Sequence, residues 1–449
     1  MQNDIPLRHR ALHLIEQLRE RLVDASFCGR HRCRPTDFTR ERLLTFPVLM
    51  LWVLQKSLKS LQARAHEFFW QLRQGLPALP VSASAVTHAR AKLRPGAFIE
   101  LNQIVLATVY GPPHAALVQR WRGHRLWAVD SSLVRLPSSA ALGQHFGWVQ
   151  CANHRGLQER YPQGRVSVLY DVLNEVAIEG RLAASTVAET TLAHEHLAVV
   201  QPGDVLLTDR GYTGYGWLAA VRAREAHFVS RCSRGSFAAV QQLFARNEAG
   251  VSQQVTLRAP TECRAECRAN GWPLELTVRL VTVRLATGEL EVLATSLLDT
   301  QAYPTEIFAE VYWQRWGHET YYGRLKGRLD LEHCSGQTVE AVAQDFHATV
   351  LLSNVESVVI GPAQVQVAER TASRAQPVQV NRAVSVHAIK YRLLDLLSSR
   401  VPAERVLSEL TEWFAATPVS VRSGRKVERR KFSPSRSYHY QRRVRKMVF

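Results

Sequence analysis

Near the start of the chain, apolar residues recur at helical spacing: Leu14, Ile15, Leu18 and Leu22, with Glu16, Arg19, Glu20 and Arg21 on the other faces. The run FPVLMLWVL opens a second helix over about residues 47–61, because proline is acceptable in a first turn. A third follows Pro80 in VSASAVTHARAKLRP, where Ser82 or Ser84 can cap and Pro95 stops the helix. His88, Arg90 and Lys92 fall on its exposed side; a recognition helix in a groove and an ordinary solvated basic helix both account for them.

From Trp121 the pattern shortens to strands. Residues 126–129 lead into Asp130, and residues 165–172 and 175–182 flank a turn at Leu173-Asn174, as in a hairpin. A helix over about 187–200 follows, then the Pro202-Gly203 turn and the apolar strand 205–207 ending at Thr208-Asp209. A helix near 215–223 and a strand over 228–231 complete a mixed α/β layer. Between about 233 and 298 the strand signal dominates: Leu274, Leu276, Val278 and Leu280 alternate with polar residues, and Thr287-Gly288 turns the chain back. Helix resumes from about Pro304, with loop residues near 334–336, and continues over 338–360. Residues 364–385 show little periodicity and read as a connection; 387–413 is helical again. There is no internal repeat.

The chain has 449 residues, enough for about three domains of ordinary size and a substantial core. The longest apolar run is Phe46–Leu54, short of the ~20 residues that span a membrane. No basic segment followed by an apolar stretch opens the chain, so the expectation is a protein without a secretion signal, located in the cytoplasm. Seven scattered cysteines do not form a disulfide framework, and the close pairs Cys28/Cys33 and Cys263/Cys267 read as reduced thiols rather than a zinc site.

The net charge of +18 is unevenly placed. Residues 1–120 hold 17 Lys and Arg against 8 Asp and Glu; residues 421–449 hold 11 against 1; the middle is left with 29 against 30. Basic flanks around a neutral centre suit a protein that grips a polyanion. Beyond Pro418 the Arg/Lys/Ser-rich tail reads as disordered until it meets one.

Asp130 and Asp209 both follow strands, where a carboxylate is fixed by the sheet while its oxygens project beyond it, a way to hold hard divalent cations. Taken singly, each is equally a turn or cap residue. Further on, EVYWQRWGHETYYGRLKGRLDLEHCSG sets Tyr312, Arg315, Glu319 and Lys326 at steps of three, four and seven. On one helix all four would share a face, presenting a carboxylate among two cations and a phenol. A surface Arg/Glu pair is the plainer reading of part of this pattern.

These residues, with WAVDSS at Asp130 and LLTDRGY at Asp209, resemble the DDE transposases of bacterial insertion sequences, specifically the insertion-sequence-four family with its YREK signature. The similarity runs from about Phe38 to about Val359. It implies an α/β chain: an RNase H-like catalytic domain, a mixed sheet flanked by helices, interrupted by a β-rich insertion, with an all-helical N-terminal domain and a helical, basic C-terminal region. The expected division is 1–120 for helical DNA binding, 121–232 and 301–362 for the two parts of the catalytic domain, 233–300 for the insertion, 363–420 for a linker and helices, and 421–449 for the basic tail.

Carried over residue by residue, the resemblance makes Asp130, Asp209 and Glu319 the catalytic and metal-binding triad for two Mg2+ ions, which Mn2+ could replace. Tyr312, Arg315 and Lys326 would contact DNA backbone near the cleaved end, with Arg210 and Tyr212 assisting. His318 departs from the aliphatic residue common before the glutamate, and Trp272 is the nearest candidate for holding a flipped base. The implied activity is cut-and-paste transposition: nicking at each transposon end, a hairpin intermediate, and strand transfer into target DNA by a homodimer on double-stranded DNA. Competing readings are a retired transposase kept as a DNA-binding protein, an RNase H-like nuclease or resolvase, and a serine or tyrosine recombinase using Ser131, Ser132 or a tyrosine with the His31–Arg34 motif, HRCR.

Overall fold

The computed structural model describes residues 4–57, 59–75, 81–152, 158–285 and 288–421. The basic tail expected at 421–449 lies almost wholly outside them. In chain order the helices are α1 (Ile5–Val23), α2 (Ala25–His31), α3 (Phe46–Leu54), α4 (Leu61–Leu72), α5 (Ala83–Arg90), α6 (Gly96–Tyr110), α7 (Ala140–Phe146), α8 (Glu189–His196), α9 (Tyr215–Ala223), α10 (Ala238–Arg246), α11 (Thr261–Asn270), α12 (Ile307–Trp313), α13 (Trp316–Gly327), α14 (Val339–Val359), α15 (Gly361–Arg370), α16 (Arg382–Tyr391), α17 (Leu393–Leu397) and α18 (Ala403–Ala416). The strands are β1 (Leu126–Arg135), β2 (Trp148–Ala152), β3 (Gln158–Asp171), β4 (Val176–Ala184), β5 (Val205–Thr208), β6 (His227–Arg231), β7 (Ser252–Arg258), β8 (Glu275–Arg284), β9 (Leu290–Thr295), β10 (Val378–Val380) and β11 (Pro418–Ser420).

These elements form two compact units. The first takes in residues 4–118, 134–164 and 324–421, the second 119–133 and 165–323. The expected separation of an N-terminal helical domain from the C-terminal helices therefore does not match the packing: α1 and α6 share one core with α14, α15 and α18. The apolar face of α1 read from the sequence, Leu14, Ile15, Leu18 and Leu22, is buried there. A helix with so narrow a stripe needs partners, and α14, buried almost all round, supplies the central one. Several polar side chains of α14 enter this core with partners. Asn354 donates to Asn102 at 2.8 Å, Glu356 accepts from Arg382 at 2.9 Å, and Asp345 and Gln344 accept from Arg90.

Arg90 corrects the reading of α5. The helix starts where Ser82 caps it, accepting from the Ala85 amide, and His88 and Lys92 are exposed, but Arg90 points inward and is buried. Its guanidinium donates to Asp345 at 2.7 Å, to the Ala341 carbonyl at 2.6 Å and to Ser335 at 2.5 Å. It is a tertiary clamp and not part of a recognition surface.

Other expectations change in the same way. The helix expected over 47–61 ends at Leu54, and α4 starts afresh at the Ser60 cap. The stretch 364–385, read as a connection, contains α15, because the Gly361-Pro362 pair that looks like a breaker places proline in a helix's first turn. Among the described residues no single helix is long and apolar enough to cross a membrane.

In the second unit the sheet order is β3-β1-β5-β6-β9-β8-β7, with β4 also on β3. β5 runs parallel to β1 and β6; β9, β8 and β7 continue antiparallel. The strands expected as a separate insertion thus extend the central sheet, since β9 covers an edge of β6 that would otherwise be left unpaired. The same stretch also holds α10 and α11, which the alternating pattern around them concealed.

Candidate active site

β1 and β5 pair in parallel with Leu126 opposite Val205 and Ala128 opposite Leu207. Continuing that register by two residues sets Asp130 opposite Asp209, on the same face of neighbouring strands that lie ~4.8 Å apart. Asp130 is not at the end of its strand, as the sequence suggested: β1 runs on to Arg135, and what ends at that level is the pairing with β5. Both carboxylates emerge where a parallel pair stops, so the backbone spaces them.

Each aspartate is tied locally. Asp130 accepts from the Ser131 amide at 2.7 Å, and Asp209 caps a short turn by accepting from the Gly211 amide at 2.8 Å. Burial pushes the Asp130 carboxyl up to about 6, and the neighbouring Asp209 pushes in the same direction against the Ser131 hydrogen bond. The pair is therefore short of positive charge.

A further carboxylate, not singled out in the sequence, joins them. Glu189 opens α8; its carboxylate accepts from Ser131 Oγ at 3.1 Å, and Arg165 donates to the same hydroxyl at 3.0 Å. A Cβ on Gly211 would stand 2.8 Å from Glu189 Oε1 and 3.1 Å from Asp209 Oδ1, so only glycine leaves both carboxylates where they are. The signal was available: Ala188-Glu189 begins a helix directly after the hairpin, but an acid in a first turn is ordinary dipole chemistry and carries no special mark.

Glu319 comes from α13. The single helical face expected for Tyr312, Arg315, Glu319 and Lys326 is interrupted: α12 ends at Trp313, and the amides of Arg315, Gly317 and His318 bond three residues back instead of four. That tighter winding rotates the face between Arg315 and Glu319. α13 lies on β1 and β3 through two buried residues. His318 Nε2 bonds to the Val168 carbonyl at 2.9 Å, and Tyr322 donates to the Asp130 carbonyl at 3.0 Å. Tyr170 and Tyr321 stack at 4.3 Å beside them. The histidine where an aliphatic residue was expected is thus a packing and hydrogen-bonding residue, with burial holding its imidazole down at about 4 and neutral. A Cβ at Gly317 would meet Val172 at 3.7 Å, an ordinary contact, so the packing here does not depend on glycine.

Arg315 donates to Glu319 at 3.1 Å and lies over the Tyr312 and Trp316 rings at 5.5 and 5.2 Å. It is also in the field of Asp209 and Asp130. Tyr312, Arg315 and Tyr212 are buried, so none of them presents a surface to DNA here; Arg210 is exposed. Lys326 packs with the first unit, half-buried and 3.9 Å from Glu332. Trp272 lies on His194, ring centroids 5.5 Å apart, and is committed to that contact. Among the described residues no three acidic, histidine or cysteine side chains converge on one point. Glu319, held by Arg315, is not closed onto the aspartate pair.

Three comparisons bear on this arrangement. A structure of a piggyBac transposase synaptic complex with hairpin DNA superposes with a TM-score of 0.43 at 12% identity, covering 94% of this chain and 88% of that one. The InsZ protein of Escherichia coli (strain K12), named there as a candidate transposase, is 28% identical over 90 residues. That stretch is 20% of this chain and 29% of the relative's length. The Transposase DDE domain family matches residues 121–355, more than half of the chain and a span that includes Asp130, Asp209 and Glu319. On that match the chain belongs to the Transposase DDE domain family.

Proposed function

We propose that the protein is a DNA transposase of the insertion-sequence-four type, with an RNase H-like catalytic fold, that cuts transposon ends and joins them to target DNA through a hairpin intermediate. The observation that carries this reading is the register that sets Asp130 beside Asp209 at the end of a parallel pair, with α13 bringing Glu319 to the same sheet. The donor set suits a hard divalent cation: oxygen ligands only, and an aspartate pair in which burial, with repulsion from Asp209 added, raises the Asp130 carboxyl. Asp130, Asp209 and Glu319 would hold Mg2+ or Mn2+, with Glu189 beside the aspartates as an added carboxylate. Cations bound there supply activation of the attacking oxygen and charge neutralisation on the leaving one.

The chain's own residues do the rest. β1 and β5 fix the spacing of the aspartates, and Tyr322 and His318 hold α13 at its level. Arg315 releases Glu319 when a DNA phosphate draws the guanidinium away, since a backbone phosphate offers it a bidentate partner. Arg210, exposed beside Asp209, is the residue placed to meet the DNA end; the contacts expected of Tyr312, Tyr212 and Lys326 require these side chains to leave their buried or half-buried positions when DNA binds. In the first unit, Arg40, Arg42, His88 and Lys92 outnumber Asp37 and Glu41 along an open groove of about 1210 Å³, a net basic surface for a DNA backbone. The working form is a homodimer pairing two transposon ends, acting on DNA in the bacterial cytoplasm.

The test is cleavage of a labelled duplex carrying the element's own end, with Mg2+, comparing the native protein with Glu319→Ala. Nicking and hairpin formation by the native protein, and binding without cutting by the variant, is the expected result. Binding without cutting by both would instead favour the retired, DNA-binding reading.

A further inference from the structure

The first unit holds a concentration of charge that this chemistry does not use. Lys56, after α3, and Arg64, on α4, are 6% and 4% exposed. Arg64 lies over the Trp52 ring at 3.7 Å and donates one Nη to the Trp52 carbonyl. Its other terminal nitrogen, Nη1, has no hydrogen-bond partner among the described residues, and neither has Lys56 Nζ. The cations around them are matched: Arg90 pairs with Asp345 at 2.7 Å and Lys390 with Asp330 at 3.6 Å. Lys56 and Arg64 share the field of Asp345, and Lys56 that of Asp330, but among the described residues neither has an ion-pair partner of its own. Burying cations without partners is strongly unfavourable, so two such groups side by side call for an anion.

There is room for one. Arg64 lines a pocket of about 290 Å³ together with Ser57, Lys59, Ser60, His333 and Gln337, and no carboxylate is among the lining residues. The pocket sits at the N-terminus of α4, a helix of 12 residues whose dipole adds positive potential there. Lys59, held by Glu67 at 2.8 Å, stands at its exposed side.

We propose that this pocket binds a phosphate group, with the Arg64 guanidinium, turned toward the pocket on binding, and the start of α4 as donors and Lys56 as the charge behind them. The phosphate is a backbone phosphate of bound DNA, which rests on the transposase reading, or free inorganic phosphate.

Thermal unfolding of the full chain in inorganic phosphate, against chloride at equal ionic strength, tests the pocket; the salt dependence of binding to a DNA duplex tests the source. The expected result is a melting temperature raised by phosphate in the native protein, by roughly 1–2 °C for each tenfold excess over its Kd, and no rise in Arg64→Gln or Lys56→Met. Lys56→Met also keeps the proposal testable if Arg64→Gln does not fold, because it removes an unpaired buried charge and should melt higher than the native protein in chloride. With DNA as the source, either variant loses ~0.9 from the slope of log affinity against log salt. A phosphate effect lost in the variants with an unchanged slope overturns the DNA source and leaves free phosphate. A phosphate effect absent, or equal in native and variant proteins, overturns the pocket. If the native protein binds no duplex at all, the transposase reading fails, while the melting experiment still decides the pocket.

Discussion

Arg315 is the residue whose removal best separates a resting arrangement from a catalytic one. Its side chain is 6% exposed, that of Glu319 30%, and they meet at 3.1 Å. Any cation that uses Glu319 must first displace this guanidinium. An exposed i,i+4 pair is worth ~0.3–0.5 kcal/mol, while breaking a fully buried pair costs ~3–5 kcal/mol; a pair with one buried and one partly exposed member falls near ~1.5 kcal/mol. Arg315→Met keeps the apolar contact with the Tyr312 and Trp316 rings but removes the competing charge. Since ~1.4 kcal/mol is a factor of ten, the variant should bind Mn2+ about tenfold more tightly than the native protein in the absence of DNA, by calorimetric titration. Its cleavage of a DNA end should nevertheless fall, because the phosphate contact is lost. Mn2+ binding that is unchanged or weaker in Arg315→Met would refute the competition.

In metal-free buffer the raised Asp130 carboxyl makes the protein lose stability as pH rises from about 4 to about 6: the unfolded chain gives up this proton first, so over that window the folded state holds more protons. Asp130→Asn should remove that decline and be more stable than the native protein at pH 7, by ~3 kcal/mol at ~1.4 kcal/mol per pH unit, measured in matched pH series. Tyr322→Phe removes a buried hydroxyl from the Asp130 carbonyl and should cost ~1 kcal/mol in denaturant unfolding; cleavage should fall further than DNA binding, since the variant loosens the level of Glu319. Arg90→Met strands the buried Asp345 carboxylate and should destabilise the fold by ~3–5 kcal/mol, and adding Asp345→Asn should recover a substantial part in a double-mutant unfolding series.

What could be read along the chain was local. The buried face of α1, the span of α9 and the turn between β3 and β4 follow from periodicity and turn residues, because each depends on neighbours three or four positions away. Where the reading failed, distant partners decided. Arg90 looks like a solvated base until Asp345, 255 residues later, is folded against it. Residues 364–385 look like a connection until α15 packs against α18. The face shared by Tyr312, Arg315, Glu319 and Lys326 assumed one unbroken helix, whereas packing of Tyr312 and Arg315 into the interior winds the chain more tightly at the junction.

The same division runs through the site. Spacing and local strand signals marked Asp130, Asp209 and Glu319 as candidates, since a strand and the polar residue after it are neighbours in the chain. Tertiary structure decided that Asp130 and Asp209 face each other across a parallel register. It also decided that Glu189 joins them through Ser131 and that Arg315 holds Glu319 away. Parallel strands are joined only by long crossovers, so no local pattern carries their register. The burial that raises one carboxyl and leaves Lys56 and Arg64 unpaired exists only once remote segments have closed over them.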